Sequence, residues 1–476
     1  MIPNKNDLIE LEITGYAFEG KGISKIEVDE SDHERKFVIF VNGSFPGDKV
    51  FARIIKVKKS YAEALCEKIL VPSEIRTEAK CIHFGVCGGC KQQNLKYETQ
   101  LQFKDEQVKE TFEHIAGVTD FEREKAIGAE DIFYYRNKME FSFADKRWLL
   151  KEDMENENIE NKDFALGLHI PRVFDKVLDI TECYLQSEQS AAIVNFTREF
   201  FRSRNVSIFN SKTHTGYLRN LVIKESHHTN DLMINIVTSE ENEKLISEYS
   251  AELIKLFPSV TTVINNINLK KSQTAFGDYE KVFVGNGFIF DNIGKFKYRI
   301  SANSFFQTNT KQAVNLYKKT LEYAGLTGNE VVYDLYSGAG TISIFVSEKA
   351  KEVYAFESVE AAVTDANFNA DLNNISNLTF IQTDLNKSFL PIIQNENFPN
   401  PDVIIADPPR SGMNPKTVTD IIQLSPKKIV YVSCNPATQA RDVEQLVKNG
   451  YKLIKSCAVD MFPHTFHIEN VALLER

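Results

Sequence analysis

The sequence contains no apolar run approaching the roughly 18 residues that a membrane-spanning helix requires, so no membrane association is expected. Its first residues, Met1-Ile2-Pro3-Asn4-Lys5-Asn6-Asp7, lack the apolar stretch and small-residue cleavage site of a signal peptide, and the expected address is cytoplasmic. Cysteine is scarce: Cys66, Cys81, Cys87, Cys90, Cys183, Cys434 and Cys457 make seven. An odd number in a reducing compartment argues against a disulfide framework and leaves thiols or metal ligands. Positive charge is also in deficit, with a net charge of −10. That excludes non-specific coating of nucleic acid, which draws on a positive field, so a nucleic-acid partner has to be met by local patches.

At 476 residues the chain is too long for one ordinary core, and two or three domains are expected. Residues 1–70 alternate apolar and polar positions in short runs, as in Phe37-Val38-Ile39-Phe40-Val41, which predicts a small β-barrel. Within it Lys49, Arg53, Lys56, Lys58 and Lys59 stand against Asp48 alone. That stripe reads equally as a site for RNA phosphates or as a solvated strand face. Residues 71–300 hold a cysteine cluster, an amphipathic helix over 97–117 and then strand-like runs, consistent with a central α+β domain. The Glu-, Asp- and Asn-rich segment 151–163 has no apolar periodicity and reads as an exposed hairpin tip or mobile loop. Over 301–476, apolar strands alternate with helical stretches, the pattern of a doubly wound α/β sheet.

Within that last region, the strand ending at Tyr336 leads into Ser337-Gly338-Ala339-Gly340 and a helical run from Thr341. This sets a glycine loop at a strand-to-helix turn, where open sheets bind ligands. Ser343 stands where a dinucleotide fingerprint has its third glycine, which disfavours a nicotinamide cofactor. Glu357 ends the next strand, where a carboxylate accepts hydrogen bonds from the ribose hydroxyls of an adenosine ligand. With Asp384 closing a third strand-like run, the pattern predicts an S-adenosylmethionine pocket.

Two further strand ends carry reactive groups. Asp407-Pro408-Pro409-Arg410 is stiffened by its prolines, and Lys428-Ile429-Val430-Tyr431-Val432 leads to Ser433-Cys434-Asn435-Pro436. Uracil carbon 5 is a poor nucleophile toward a methyl sulfonium until a thiolate adds to carbon 6 and turns the ring into an enolate. Cys434 is the candidate nucleophile, and Arg410 the cation that favours its thiolate. The adduct must then lose its carbon 5 proton; Glu469, in Phe462-Pro463-His464-Thr465-Phe466-His467-Ile468-Glu469, is the candidate base and His464 its rival. An adenine amino-methyltransferase is disfavoured, because Arg410 stands where that class has an aromatic residue.

These residues resemble the RNA 5-methyluridine methyltransferases, in particular the 23S ribosomal RNA class, over nearly the whole chain. The marks are Asp407-Pro408-Pro409-Arg410-Ser411-Gly412, Tyr431-Val432-Ser433-Cys434-Asn435-Pro436-Ala437-Thr438, and Phe462-Pro463-His464-Thr465 with Glu469. The resemblance implies a class I S-adenosylmethionine-dependent methyltransferase domain, Cys434 as nucleophile and Glu469 as base. It implies cofactor contacts from Gln307, Tyr336, Glu357 and Asp407, with Thr341 and Asp384 in addition. The first 70 residues resemble a TRAM domain, an OB-like RNA-binding barrel, with Glu19-Gly20-Lys21-Gly22 matching its turn. The partner implied is RNA, 23S ribosomal RNA first and transfer RNA second, for a monomer with no required protein partner. An RNA-binding protein with an inactive methyltransferase fold is the reading from another class.

Cys81, Cys87 and Cys90 form a compact ligand array that needs a fourth member. Cysteine-only sites take iron–sulfur clusters or zinc, and His83 would suit zinc. The resemblance instead implies Cys183 as the fourth ligand of a four-iron four-sulfur (4Fe-4S) cluster, although Tyr184 follows it where the family usually has proline.

Overall fold

The computed structural model describes residues 2–27, 36–155, 159, 161–171, 173–272 and 274–476. Of the segment 151–163, Lys151–Met154 form a short helix, and 156–158 and 160 lie outside the described residues.

The first strands form one six-stranded sheet in which Lys49–Val57 pairs with Leu8–Glu12 and Tyr61–Val71. Alternation drives it: Val50, Ala52 and Ile54 are buried with Leu11, Ile39, Val41 and Ala64, while Lys49, Arg53 and Lys56 point outward. The neighbouring strand answers that basic stripe. Glu67 lies 2.7 Å from Arg53 and Glu63 2.8 Å from Lys56, so two of the five cations are partnered by carboxylates.

A seven-stranded sheet follows, centred on Leu218–Glu225 and Leu232–Thr238, with helices Glu188–Ser203 and Glu243–Leu256 packed against it. The third large sheet has eight strands in the order Leu378–Gln382, Glu352–Glu357, Val331–Leu335, Val403–Ala406, Lys428–Ser433, Glu469–Glu475, Lys452–Val459 and Glu122–Ile127. Its first five strands are parallel, and Glu469–Glu475 runs antiparallel between two neighbours. The parallel strands are almost continuously buried, as a sheet covered by helices on both faces requires.

Packing crosses the divisions expected at 70 and 300. Glu122–Ile127 closes the edge of the eight-stranded sheet, and helix Tyr97–Thr111 with its continuation Phe112–Ala116 buries Val108 and Phe112 in that sheet's core. The hairpin Phe288–Ile293/Phe296–Ser301 buries Ile289, Tyr298 and Ile300 beside Val332 and Val353. Strand–helix alternation along the sequence begins only after these segments, although they share its core.

Candidate active site

Strand register brings the singled-out residues to one edge. Leu335 is level with Phe356 and with Ala406, and Ala406 with Tyr431. Tyr336, Glu357, Asp407 and Cys434 therefore sit at the carboxyl ends of four parallel strands. Val331–Leu335 lies between Glu352–Glu357 and Val403–Ala406, a position where connections diverge and open a crevice. The antiparallel pair does the rest. Ser433 is opposite Asn470, so Cys434 and Glu469 are the next residues on either strand, adjacent where the pairing ends.

The motif residues around Cys434 explain one another. Asn435 caps helix Pro436–Lys448 by accepting from Ala437 N at 3.1 Å, with Pro436 in the first helical turn where no amide donor is needed. Asn435 Nδ2 and Thr438 Oγ1 both donate to the Arg410 carbonyl, at 3.0 and 3.2 Å. The two loops are thus tied together. The Arg410 guanidinium donates to His467 Nδ1 at 2.8 Å, and His467, its pKa lowered to about 4 by burial and by that cation, is the neutral acceptor.

Burial pushes the Cys434 thiol up to about 11, and the nearby Glu469 and Asp407 carboxylates push the same way, while Arg410 pulls it down. Glu469 is buried, and burial together with Asp407 raises it well above the usual carboxylate range against the opposing pull of Arg410. Thiol, two carboxylates and a guanidinium therefore share one electrostatic site. His464 is elsewhere: its ring stacks on Phe133 at 4.4 Å, its Nδ1 meets Gln100 Nε2 at 3.2 Å, and its carbonyl accepts from Lys91 N and Gln92 N. That engagement makes it a wedge between segments.

In the crevice, Tyr336 takes a left-handed φ of 67°, which a bulky residue rarely adopts, and Gly338 and Gly340 follow with positive φ. A Cβ at Gly338 would meet nothing within 4 Å, so the loop faces open space. Glu357 is oriented by Gly338 N at 2.9 Å and Val359 N at 2.8 Å. Thr341 Oγ1 bonds Tyr317 Oη at 2.8 Å. Gln307 is buried, and its carbonyl accepts from Asn137 Nδ2 at 2.7 Å. Asp384 differs from the others: its side chain is 44% exposed and accepts from Asn386 in its own turn. Two buried polar atoms without a partner among the described residues, Asp334 Oδ1 and Ser337 Oγ, belong to the strand and loop that line this crevice. Such orphaned atoms fit a polar ligand.

Comparison with known proteins now bears on this geometry. A profile of the tRNA (uracil-5-)-methyltransferase family matches residues 278–476, and a TRAM-domain profile matches residues 5–65. An uncharacterised RNA methyltransferase of Chlorobaculum tepidum is 40% identical over 475 residues, 99% of this chain and 97% of the relative. One from Bacteroides thetaiotaomicron is 41% identical over 462 residues, 96% of this chain and 99% of the relative. The chain belongs to the RNA (uracil-5-)-methyltransferase family. The crystal structure of Pyrococcus abyssi tRNA (uracil-54, C5)-methyltransferase with S-adenosyl-L-homocysteine is similar at TM-score 0.74 and 30% identity, covering 98% of this chain and 99% of that one. This methyltransferase therefore has the class I S-adenosylmethionine-dependent fold with an N-terminal TRAM domain, and its activity is of the RNA uracil-5 type.

In this methyltransferase Cys81, Cys87, Cys90 and Cys183 line one cavity walled by Leu168, Ile180 and Leu185. Gly89 N donates to Cys87 Sγ at 3.3 Å and Gln93 Nε2 to Cys90 Sγ at 3.2 Å. His83 borders the cavity, and its Nε2 accepts from Thr181 N at 3.1 Å. Among the described residues no group of three or more His, Cys, Asp or Glu side chains forms a metal-holding arrangement. The thiols converge on a shared space. Sequence reasoning missed Asp334, whose signal was a lone acid inside an apolar strand, and Tyr317, whose helical position carries no motif.

Proposed function

We propose that the protein transfers a methyl group from S-adenosylmethionine to carbon 5 of a specific uridine in 23S ribosomal RNA, through a covalent Cys434–uridine adduct resolved by Glu469. The observation that carries this reading is the adjacency of Cys434 and Glu469 at the end of an antiparallel pair, with Asp407 and Arg410 as their charged neighbours.

S-adenosylmethionine supplies an electrophilic methyl group when bound. Gln307, Tyr336, Thr341, Glu357, Asp384 and Asp407 would hold it, with Glu357 at the ribose. Cys434 Sγ, as thiolate, bonds to uracil carbon 6, and the electron pair of the 5,6 double bond passes into the enolate. Carbon 5 then takes the methyl group. Glu469 removes the carbon 5 proton, the electrons of that C–H bond rebuild the double bond, and the Cys434 sulfur leaves with its pair. Arg410 favours the thiolate at both ends of the cycle. A half-buried thiol at the bottom of a strand-end crevice is out of reach of a base still in its stack, so an unpaired or flipped uridine is the substrate.

In the same reading Cys81, Cys87, Cys90 and Cys183 hold a four-iron four-sulfur cluster, supported by an all-cysteine donor set and N–H···S bonds. Nothing in uridine methylation needs an electron, so the cluster is structural or shapes the RNA surface. The units are the barrel of residues 1–70, a central unit within 71–300 and a catalytic unit of 301–476 joined by 97–127, in a cytoplasmic monomer.

Transfer RNA is the second reading, favoured by the whole-chain likeness to the Pyrococcus abyssi enzyme. An inactive RNA-binding protein is disfavoured by the intact Cys434 and Glu469 pair. Purified protein, tritiated methyl donor and unmodified 23S ribosomal RNA or transfer RNA decide among these. Label in one 23S uridine is expected; label in transfer RNA alone overturns the ribosomal assignment, and label in neither overturns the activity.

A further inference from the structure

Lys80, immediately before the first cysteine of the cluster, has its ammonium over three aromatic rings. The centroids of Phe133 and Tyr134 lie at 5.1 Å each and that of Tyr184 at 4.3 Å. The rings touch one another, Tyr184 meeting Phe133 at 6.1 Å and Tyr134 at 5.8 Å. None of the three belongs to a hydrophobic cluster of the described residues. They are half-buried rings outside every such cluster, gathered around an exposed lysine.

The backbone adds an independent sign. Tyr134 is held at φ 55°, a left-handed conformation that a bulky residue rarely adopts. Its N–H donates to Tyr184 O at 2.7 Å, and Arg136 N donates to Leu185 O at 2.8 Å, so two segments are clamped with both tyrosines on one side. Strain of this kind collects at ligand sites.

The cluster is continuous with the active site. Phe133 stacks on His464, the Arg136 guanidinium sits 5.8 Å over Phe462, and His467, 6.0 Å from Phe462, accepts from Arg410 beside Cys434. Ring and cation contacts thus link the cysteine cavity to the Cys434 loop, with His464 buried within them and Arg136, Phe462 and His467 partly exposed. This is the composition that binds a single nucleic-acid strand, with rings for base faces and cations for the backbone. Glu188 and Glu182 take the Tyr134 and Tyr184 hydroxyls at 3.3 Å each, so that rim repels phosphate, and a base stacks there by taking the place of the exposed Lys80 ammonium over the rings.

We infer that Lys80, Phe133, Tyr134 and Tyr184 form a stacking subsite for an unpaired base of the RNA strand next to the uridine that enters at Cys434. The inference rests on the RNA methyltransferase reading and names where the flanking strand lies.

The test uses a fluorescent oligouridylate of about 12 nucleotides, within the span of known single-strand sites, and a second one carrying 2-aminopurine, whose emission falls on stacking. Tyr134→Gly removes a ring while relieving the backbone, Tyr184→Leu keeps apolar bulk, and Lys80→Gln removes the charge. Each tyrosine variant is expected to bind the oligonucleotide about tenfold more weakly and to lose the 2-aminopurine quenching. The affinity for S-adenosylmethionine and the thermal midpoint stay at wild-type values. Wild-type affinity and quenching in both tyrosine variants, with methyl transfer to RNA intact, overturns the subsite and leaves the proposed function standing. A wild-type protein that neither binds the oligonucleotide nor methylates any RNA overturns both.

Discussion

Replacing Asp334 by Asn removes a charge from a place where charge is costly. Asp334 has no exposed surface; its Oδ2 accepts from the Ser343 hydroxyl and its Oδ1 has no partner among the described residues. Burial, reinforced by Asp407 and Glu357 and only partly opposed by Ser343, pushes its carboxyl from 3.8 up to about 7. The folded protein then retains a proton that the unfolded chain releases at lower pH. Stability from this group is fully present below the unfolded value and is lost as pH rises through about 7. The shift from 3.8 to about 7 is roughly three units, which at about 1.36 kcal/mol per unit sets a ceiling of about 4 kcal/mol. Asn keeps the shape and can still accept from Ser343, but it does not titrate. The stability advantage of the ligand-free Asp334→Asn variant is expected to grow by about 2–3 kcal/mol between about pH 5 and about pH 8. Thermal midpoints of wild type and variant at matched pH values measure it. A gap constant with pH, or one that shrinks toward alkaline pH, refutes the reasoning.

The remaining predictions concern the proposed chemistry. With the Cys434 thiol pushed up to about 11, kcat/KM for RNA should climb steeply from neutral to alkaline pH, and Arg410→Gln, which removes the cation pulling the thiol down, should move the climb further alkaline. A flat profile contradicts a titrating nucleophile. Glu469→Gln should still form the adduct and accumulate RNA–protein complex on a denaturing gel, whereas release of methylated RNA at the wild-type rate shows that another group takes the proton. Anaerobically purified protein should be brown and hold iron, and Cys183→Ala should lose both colour and iron. Colourless wild-type protein with one zinc per chain contradicts the cluster.

Much of the catalytic unit was legible because its signals are local. A glycine loop after a buried strand, an acid at the next strand end and a thiol at another need only the order of elements, and register then aligns them. The Cys434–Glu469 adjacency depended on long-range pairing, and the motif resemblance supplied what periodicity did not. Glu122–Ile127 reads as a polar run because an edge strand buries little, so nothing in its pattern announces membership of the eight-stranded sheet. The carboxylates that pair Arg53 and Lys56 of the basic stripe were not legible for the opposite reason: Glu63 and Glu67 are distant in pattern but adjacent across the ladder. His464, a plausible base by its neighbours in sequence, is claimed by Gln100 and Phe133 from other segments.

Covalent attachment of RNA to Cys434 is tested most directly with RNA in which the target uridine is replaced by 5-fluorouridine. Fluorine at carbon 5 cannot leave as a proton does, so the cycle should stop with methyl group and RNA both attached, and mass spectrometry should find the modified nucleotide on the peptide containing Cys434. Active enzyme that yields no such complex, or a Cys434→Ala variant that methylates uridine at the wild-type rate, contradicts the account.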